Sequence, residues 1–353
     1  MVIEFSPDPP GMPRYDPGHR TWVLSRFADV SAALKEAALV LAAASGETVA
    51  QGGDPEERSQ NATEVAADVQ GICDGERGQF EKAARGVVAA AAARGQADLV
   101  LNVAHEWSVL VMTRLGAEPS AEPAKIANAA RRILYQDTGR SGWTGLKRWA
   151  RPVANRWANR QSEKAKLMVD DLIGRGVLRL TQSTFISMAQ TLPSFLGKAW
   201  LALLKNPEQA ALLGTQPNRM ESALHELLRF AGIVHTLYRK AIRDVSVNGT
   251  PIAAGDFVVL KVQRANFDEE KFIAPYRMDL ARKPAGHLGL GAGIHACAGA
   301  AMVRGAFATL TPLLLEAGPE LDRRRPVVWN CGQTLCWPVK VPVLFRGKPG
   351  GRI

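Results

Sequence analysis

Residues 287–304 read HLGLGAGIHACAGAAMVR, and the rest of the chain is organised around them. Gly289, Gly291 and Gly293 make the first half a glycine-rich loop. The loop passes through Ile294-His295-Ala296-Cys297-Ala298-Gly299 into an alanine-rich run, AAMVRGAFATLTPLLLE. That run predicts a helix of about four to five turns, with Pro312 as a kink point. One cysteine therefore stands where an irregular loop becomes a helix N-terminus. Peptide N–H groups there lack intrahelical partners, and the helix dipole adds positive charge. A thiol at that point is expected to have a lowered pKa and to be held as thiolate. The glycines let backbone approach something large and flat with no Cβ in the way.

A thiolate with a bulky neighbour points to a soft metal, haem iron among the candidates. The plain alternative is an inert cysteine beside a helix cap. The run Leu290-Gly291-Ala292-Gly293-Ile294-His295-Ala296-Cys297-Ala298-Gly299 resembles the haem-binding loop of cytochromes P450, Phe-Gly-x-Gly-x-His/Arg-x-Cys-x-Gly. Leu290 stands where that family has Phe. The resemblance implies a b-type haem (heme b) with Cys297 as its metal ligand. Leu290, Gly291, His295 and Gly299 would be the cofactor-binding positions of the same loop. It also implies the cytochrome P450 fold: mainly α with a small β-rich lobe, the haem lying between a long distal helix and the Cys297 loop.

Other stretches carry the same resemblance in the family's order. Glu226 and Arg229 in ESALHELLRF match Glu-x-x-Arg, although an i,i+3 pair on any helix is often a surface salt bridge of small value. In the family the pair is buried and joined by a later arginine, which Pro275-Tyr276-Arg277-Met278-Asp279 implies to be Arg277. Residues 236–262 alternate and contain Asn248-Gly249, which predicts a β-hairpin. There Arg239 matches the arginine that reaches a haem propionate, a charge-assisted contact suited to a guanidinium. Ala265-Asn266-Phe267-Asp268 resembles Ala-Asn-Arg-Asp, with Phe267 for Arg. Ser187-Met188-Ala189-Gln190-Thr191 stands where the family carries Ala-Gly-x-Asp/Glu-Thr, so Thr191 and Gln190 are the implied catalytic positions. Gln190 replaces an acid and cannot deliver a proton as one can. The resemblance is carried by 196–316 and extends to 95–120.

Composition bounds the rest. A chain of 353 residues with 46% hydrophobic content exceeds one ordinary core, so two lobes or one large cofactor-centred fold are expected. We expect a single P450-like domain, with a truncated N-terminal region at 1–60, helices at 60–235, the hairpin at 236–265, and the haem loop and its helix at 287–316. Four cysteines, Cys73, Cys297, Cys331 and Cys336, are too few for a disulfide framework. Cys331 and Cys336 could pair, but their spacing fits no zinc pattern. The proline-rich start has no apolar core, so no signal peptide is expected, and no uninterrupted apolar run of membrane-spanning length stands out. A cytoplasmic protein is the expectation.

Net charge is +10, and the 131–166 segment carries about +8 of it, opposed only by Asp137 and Glu163. A solvated helix face accounts for such a run as well as a docking surface does. As a docking surface it would fit an acidic carrier protein, a partner chain or an anionic membrane surface. No nucleic-acid recognition motif accompanies it.

Along the chain, 1–20 reads as an irregular proline-rich arm and 21–24 as a short strand. Helices are expected over 27–42, over 57–95 with a break near Gly71 and Gly75, and over 94–116 with Asp98 as cap. Pro152 suits the first turn of a helix. Breaks are expected at Gly174/Gly176 and Pro193 within 166–206. Three functions follow. One is a monooxygenase fed by a ferredoxin-type donor. The second is a haem-thiolate enzyme using peroxide or performing a redox-neutral step, which Gln190 motivates. The third is a degenerate P450-like partner subunit, which the shortened first half allows. That half lacks a matching His/Trp-x-x-x-Arg helix, since 56–61 read EERSQN.

Overall fold

The computed structural model describes residues 9–43, 55–116, 123–134, 151–174, 182–284 and 286–345. In chain order, strands β1 (Arg14–Asp16) and β2 (Thr21–Leu24) precede helix α1 (Phe27–Lys35) and strand β3 (Leu39–Leu41). Helices α2 (Pro55–Gly75) and α3 (Arg77–Ala93) lead to β4 (Gln96–Asp98). A π-helical turn, Val100–His105, opens α4 (Glu106–Gly116), followed by α5 (Pro123–Leu134) and α6 (Arg151–Gly174). Then come α7 (Gln182–Ile186), a second π-helical turn (Ser187–Thr191), α8 (Leu192–Lys205), α9 (Pro207–Thr215) and α10 (Met220–Phe230). The strands β5 (Leu237–Ala241), β6 (Val245–Val247), β7 (Thr250–Ile252) and β8 (Phe257–Leu260) precede α11 (Val262–Ala265). The chain ends with α12 (Ala300–Ala317), β9 (Pro319–Leu321), β10 (Val328–Cys331), β11 (Cys336–Lys340) and β12 (Pro342–Phe345).

Two compact units divide these elements. The first comprises Met1–Gly71 and Glu221–Met302. Its centre is a five-stranded sheet in the order β1-β2-β8-β5-β3. β2 and β8 run parallel with Trp22 opposite Val258, and the other pairs are antiparallel. Leu24, Val30, Leu34, Leu39, Val258 and Leu260 form its buried core. The expected single hairpin is two nested pairs. β5 pairs with β8, and β6 pairs with β7 across Asn248-Gly249, whose φ values of 47° and 80° suit a two-residue turn.

Several expectations are corrected here. The helix expected over 27–42 ends at Lys35, because Leu39-Val40-Leu41 pairs with Arg239 to Ala241 of β5 instead. The arm at 1–20 contains β1, whose pairing with β2 gives its backbone a partner.

The second unit comprises Ile72–Met220 and Val303–Ile353. Its core includes Trp107, Met112, Phe185, Trp200, Phe307 and Trp337. The Trp107 indole N–H donates to Phe80 O at 3.1 Å, and the Trp200 indole N–H to Thr311 Oγ1 at 3.0 Å. α5 packs against α6, burying Ile126, Ala129, Ala165 and Val169. β4, β12 and β9 form a three-stranded sheet and β10 pairs with β11. The helix expected from residue 94 starts later because Gln96 to Asp98 pair with β12. Asp98 still caps it: Oδ1 accepts the N–H groups of Val100 at 2.9 Å and Leu101 at 3.1 Å.

The break expected near Gly71 and Gly75 falls directly after Gly75, where it separates α2 from α3. Pro193 does not break its helix either. It sits in the first turn of α8, directly after the π-helical turn, where the loosened ladder accommodates a missing N–H. α6 ends at Gly174 and carries Pro152 in its first turn, as expected. α12 is long and apolar enough to cross a membrane by length and composition alone. It also carries Arg304 and buries Ala306, Phe307, Leu310 and Leu314. Cys331 and Cys336 face each other across the β10–β11 hairpin and are joined as a disulfide. Of the basic segment, residues 135–150 lie outside the described residues.

Candidate cofactor site

The glycine-rich loop is held by a short set of backbone bonds within the first unit. Gly291 N–H donates to Leu288 O at 3.0 Å, Ala296 N–H to Gly293 O at 3.0 Å, and Cys297 N–H to Leu290 O at 2.8 Å. Gly293–His295 forms one 3₁₀ turn. Gly293 has φ 68°, and a Cβ there would lie 2.7 Å from Leu34 O. Only glycine lets the loop rest this closely on α1. Gly299 is different: a Cβ would meet only Cys297 Sγ, at 3.8 Å, so packing within the chain leaves room for alanine. Leu290 and His295 are half-buried.

Cys297 is exposed. Its thiol pKa is nevertheless pushed up by the desolvation around it, against a smaller lowering by the Gly299 backbone N–H. This overturns the expectation of a lowered pKa. α12 begins at Ala300, so Cys297 precedes the first helical turn and desolvation outweighs the dipole. A coordinated metal would reverse the balance, because metal-bound thiols lose their proton outright.

Arg239 lies mid-strand in β5, between Leu41 of β3 and Val258 of β8. It is 2% exposed. Nη1 donates to Tyr238 O at 2.9 Å, while Nε has no partner among the described residues. Burial lowers its pKa to about 10. A buried guanidinium with an orphaned donor suits an anion that the described residues do not supply.

Glu226 and Arg229 on α10 are buried, as the resemblance implied. Arg229 donates from Nη2 to Glu226 Oε1 and from Nε to Oε2, both at 2.8 Å. Its remaining N–H groups reach the carbonyls of Asn266 and Pro275 at 2.8 Å and of Arg277 at 3.4 Å. All five donors are used. The expected third member, Arg277, contributes only that carbonyl. Arg282 takes the place instead, its Nε donating to Glu226 Oε2 at 3.1 Å. The reason is tertiary: Asp279 N–H docks on Glu226 Oε1 at 3.0 Å, and the turn that follows carries Arg282 inward. The only sequence signal was an arginine three residues after Asp279. Phe267, Phe272 and Phe230 ring Arg229, with centroids 5.3, 5.1 and 5.9 Å from Cζ, which accounts for Phe267 at its unusual position. Asn266 ties this cluster to the loop, accepting from Arg229 through its carbonyl and from Leu288 N–H through Oδ1 at 2.8 Å.

In the second unit, Ser187 to Thr191 form the π-helical turn, and the Thr191 hydroxyl donates to Ser187 O at 2.9 Å. Gln190 is buried. Such turns are frequent at functional sites.

A family model described as Cytochrome P450 matches residues 219–316, which contain the Glu226 cluster, Arg239 and the whole Cys297 loop. Over that stretch the chain matches the cytochrome P450 family. The chain is 29% identical over 235 residues to Cytochrome P450 FAS1 of Rhodococcoides fascians, a match covering 64% of this chain and 59% of that one. It is 27% identical over 278 residues to the monooxygenase PikC of Streptomyces venezuelae, covering 74% and 67%. Among solved structures, HinD with NMFT and NO aligns at a TM-score of 0.69 and 26% identity, covering 92% of this chain and 90% of that one. The match thus spans only 59% of the FAS1 relative's length. The mainly helical fold with small sheets is the P450 fold, and the family is one of cysteine-ligated haem proteins. The residues present fit such a group: an exposed cysteine on a glycine-rich loop, and a buried arginine whose Nε has no partner among the described residues.

Proposed function

We propose that this protein is a cytochrome P450, a haem-thiolate oxidoreductase acting on a small organic substrate. The observation that carries it is the presence, within one unit, of exposed Cys297 and of buried Arg239, whose Nε lacks a partner among the described residues. Cys297 would hold the iron, while Arg239 and His295 would neutralise the carboxylates of the macrocycle. Sulfur donation to haem iron supplies an oxidising centre, favouring O–O cleavage. By the resemblance, residues of the chain would then bind, orient and move protons. The Thr191 hydroxyl proton is held by Ser187 O, which leaves the Oγ1 lone pairs free to accept from water or substrate. The Gln190 amide can orient a water but gives up no proton near neutrality.

A monooxygenase drawing electrons from a ferredoxin-type donor is the leading form, in line with the name of the PikC relative. Gln190 favours a second form that uses peroxide, or a redox-neutral step. The basic 131–166 segment fits an acidic carrier protein presenting the substrate. P450BioI, which shares the fold at 19% identity, has been captured with an acyl carrier protein. Replacing Arg148, Arg151 and Arg156 with Glu is expected to weaken salt-sensitive carrier binding, and unchanged affinity would remove that idea.

The test is the absorption spectrum of the oxidised protein and of the reduced protein under carbon monoxide, beside Cys297→Ala. A thiolate-type red-shifted Soret band, lost in the variant, is expected. A protein without haem, or a spectrum indifferent to Cys297, would overturn the enzyme and bring forward a partner subunit without independent activity. Turnover with peroxide but not with NADH and ferredoxin would remove the monooxygenase form.

A further inference from the structure

His225 precedes Glu226 on α10, and His287 opens the glycine-rich loop. Neither belongs to the ligand set or to the Glu226 cluster. Nδ1 of His225 lies 3.2 Å from Nε2 of His287, with ring centroids 5.3 Å apart. Gly289 N–H donates to His287 Nδ1, also at 3.2 Å. Gly289 sits hard against α10, where a Cβ would come within 2.5 Å of Leu228 O. The following residue, Leu290, accepts the Cys297 N–H.

These contacts determine where the protons are. A backbone N–H can only donate, so Nδ1 of His287 is bare. The proton of a neutral His287 is then on Nε2, where it donates to Nδ1 of His225. That atom must be bare as well, which puts the proton of His225 on its own Nε2. One peptide group, Gly289 N–H, therefore sets the tautomer of both rings.

Adding a proton to either ring breaks the chain. On His287 the new proton lands on Nδ1 and opposes Gly289 N–H. On His225 it lands on Nδ1 and opposes His287 Nε2–H. The titratable and charged groups acting on His287 are His225 and Arg229, both on α10. The loop adds none, since Leu288 to Ile294 carry no charge.

We infer that His225 and His287 are positioning residues, an imidazole pair that fixes the Cys297 loop while the His287 ring is neutral and releases it when that ring is protonated. Burial, His225 and Arg229, in that order, lower the His287 pKa to about 4, so near neutrality His287 keeps the bare Nδ1 that the geometry requires. The consequence for the thiolate rests on Cys297 binding haem. The pairing itself does not.

The experiment has two arms on the purified full chain. Nitrogen-15 NMR of the histidine rings near neutral pH is expected to show both residues as the Nε2–H tautomer, with Nδ1 bare. A protonated Nδ1 on His287 would overturn the inference whether or not haem is present. The second arm follows the thiolate-type Soret band of the holoprotein on acidification, beside Gly289 amide exchange. In His287→Asn, Oδ1 replaces the Nδ1 acceptor but does not titrate. Its midpoint for loss of the band is expected to fall by about one pH unit. His225→Gln, which still offers an acceptor to His287, is expected to shift the midpoint the same way and guards against misfolding of the first variant. Midpoints and Gly289 exchange unchanged in both variants would overturn the inference.

Discussion

Arg229 and Arg239 belong to the same unit and are equally buried, each 2% exposed, yet their surroundings are opposite. Arg229 has every N–H satisfied, a carboxylate gripped at two points and three aromatic rings about it. Arg239 has one carbonyl, an orphaned Nε and no carboxylate partner among the described residues. A buried cation costs several kcal/mol unless neutralised, so two such unlike environments in one core mean unlike duties. Arg229 completes a structure, and Arg239 is the one we propose to face a ligand. Lys198 in the other unit is a third case. Its Nζ donates to Cys336 O at 3.0 Å, and burial lowers its pKa to about 7, so it relieves its burial by giving up its proton.

The contrast can be broken in order of expected effect. Glu226→Leu strips the counter-charge from Arg229 and Arg282 together, and a loss of about 3–5 kcal/mol is expected in urea unfolding. A loss below about 1 kcal/mol would mean that the cluster is not the completed element its geometry indicates.

Lys198 makes the next prediction. Unfolded, it keeps its proton up to the ordinary lysine value of 10.5; folded, it yields it near 7. Between those values the unfolded chain binds more protons, so stability rises with pH. The rise is on the order of 5 kcal/mol at most. Denaturation curves across that window are expected to flatten in Lys198→Met.

Arg239→Met is expected to leave the stability of the haem-free chain unchanged or raised, because an unmatched buried charge is removed. The same change should weaken haem retention about tenfold, near 1.4 kcal/mol, as read by transfer of haem to apomyoglobin. Destabilisation of the haem-free protein on the scale of Glu226→Leu would erase the distinction between the two arginines.

The smallest effect is expected at the loop. Gly299→Ala meets only Cys297 Sγ at ordinary contact distance, so the haem-free chain should keep its stability to within about 0.5 kcal/mol. A Soret band displaced in that variant would show that the cofactor, not the chain, needs this glycine.

Much of the site was legible because its signals are local. The glycines of 289–293, the cysteine ahead of a helix, Glu226 and Arg229 one turn apart, and the Asn248-Gly249 turn are each written within a few residues. Their backbone and face requirements follow from φ, helical period and turn type. These parts and their order are written in the residues themselves, and with them the resemblance to cytochromes P450.

Features that depend on contacts between distant segments emerged on folding. Leu39 to Leu41 became a strand because β5 offered its edge, and Gln96 to Asp98 because β12 did. Arg282 displaced Arg277 because Asp279 docks on Glu226. The proton placement on His225 and His287 came from a backbone amide that no spacing announces. In each case a hydrogen-bonding group must find a partner on burial, and the sequence names the group but not the partner.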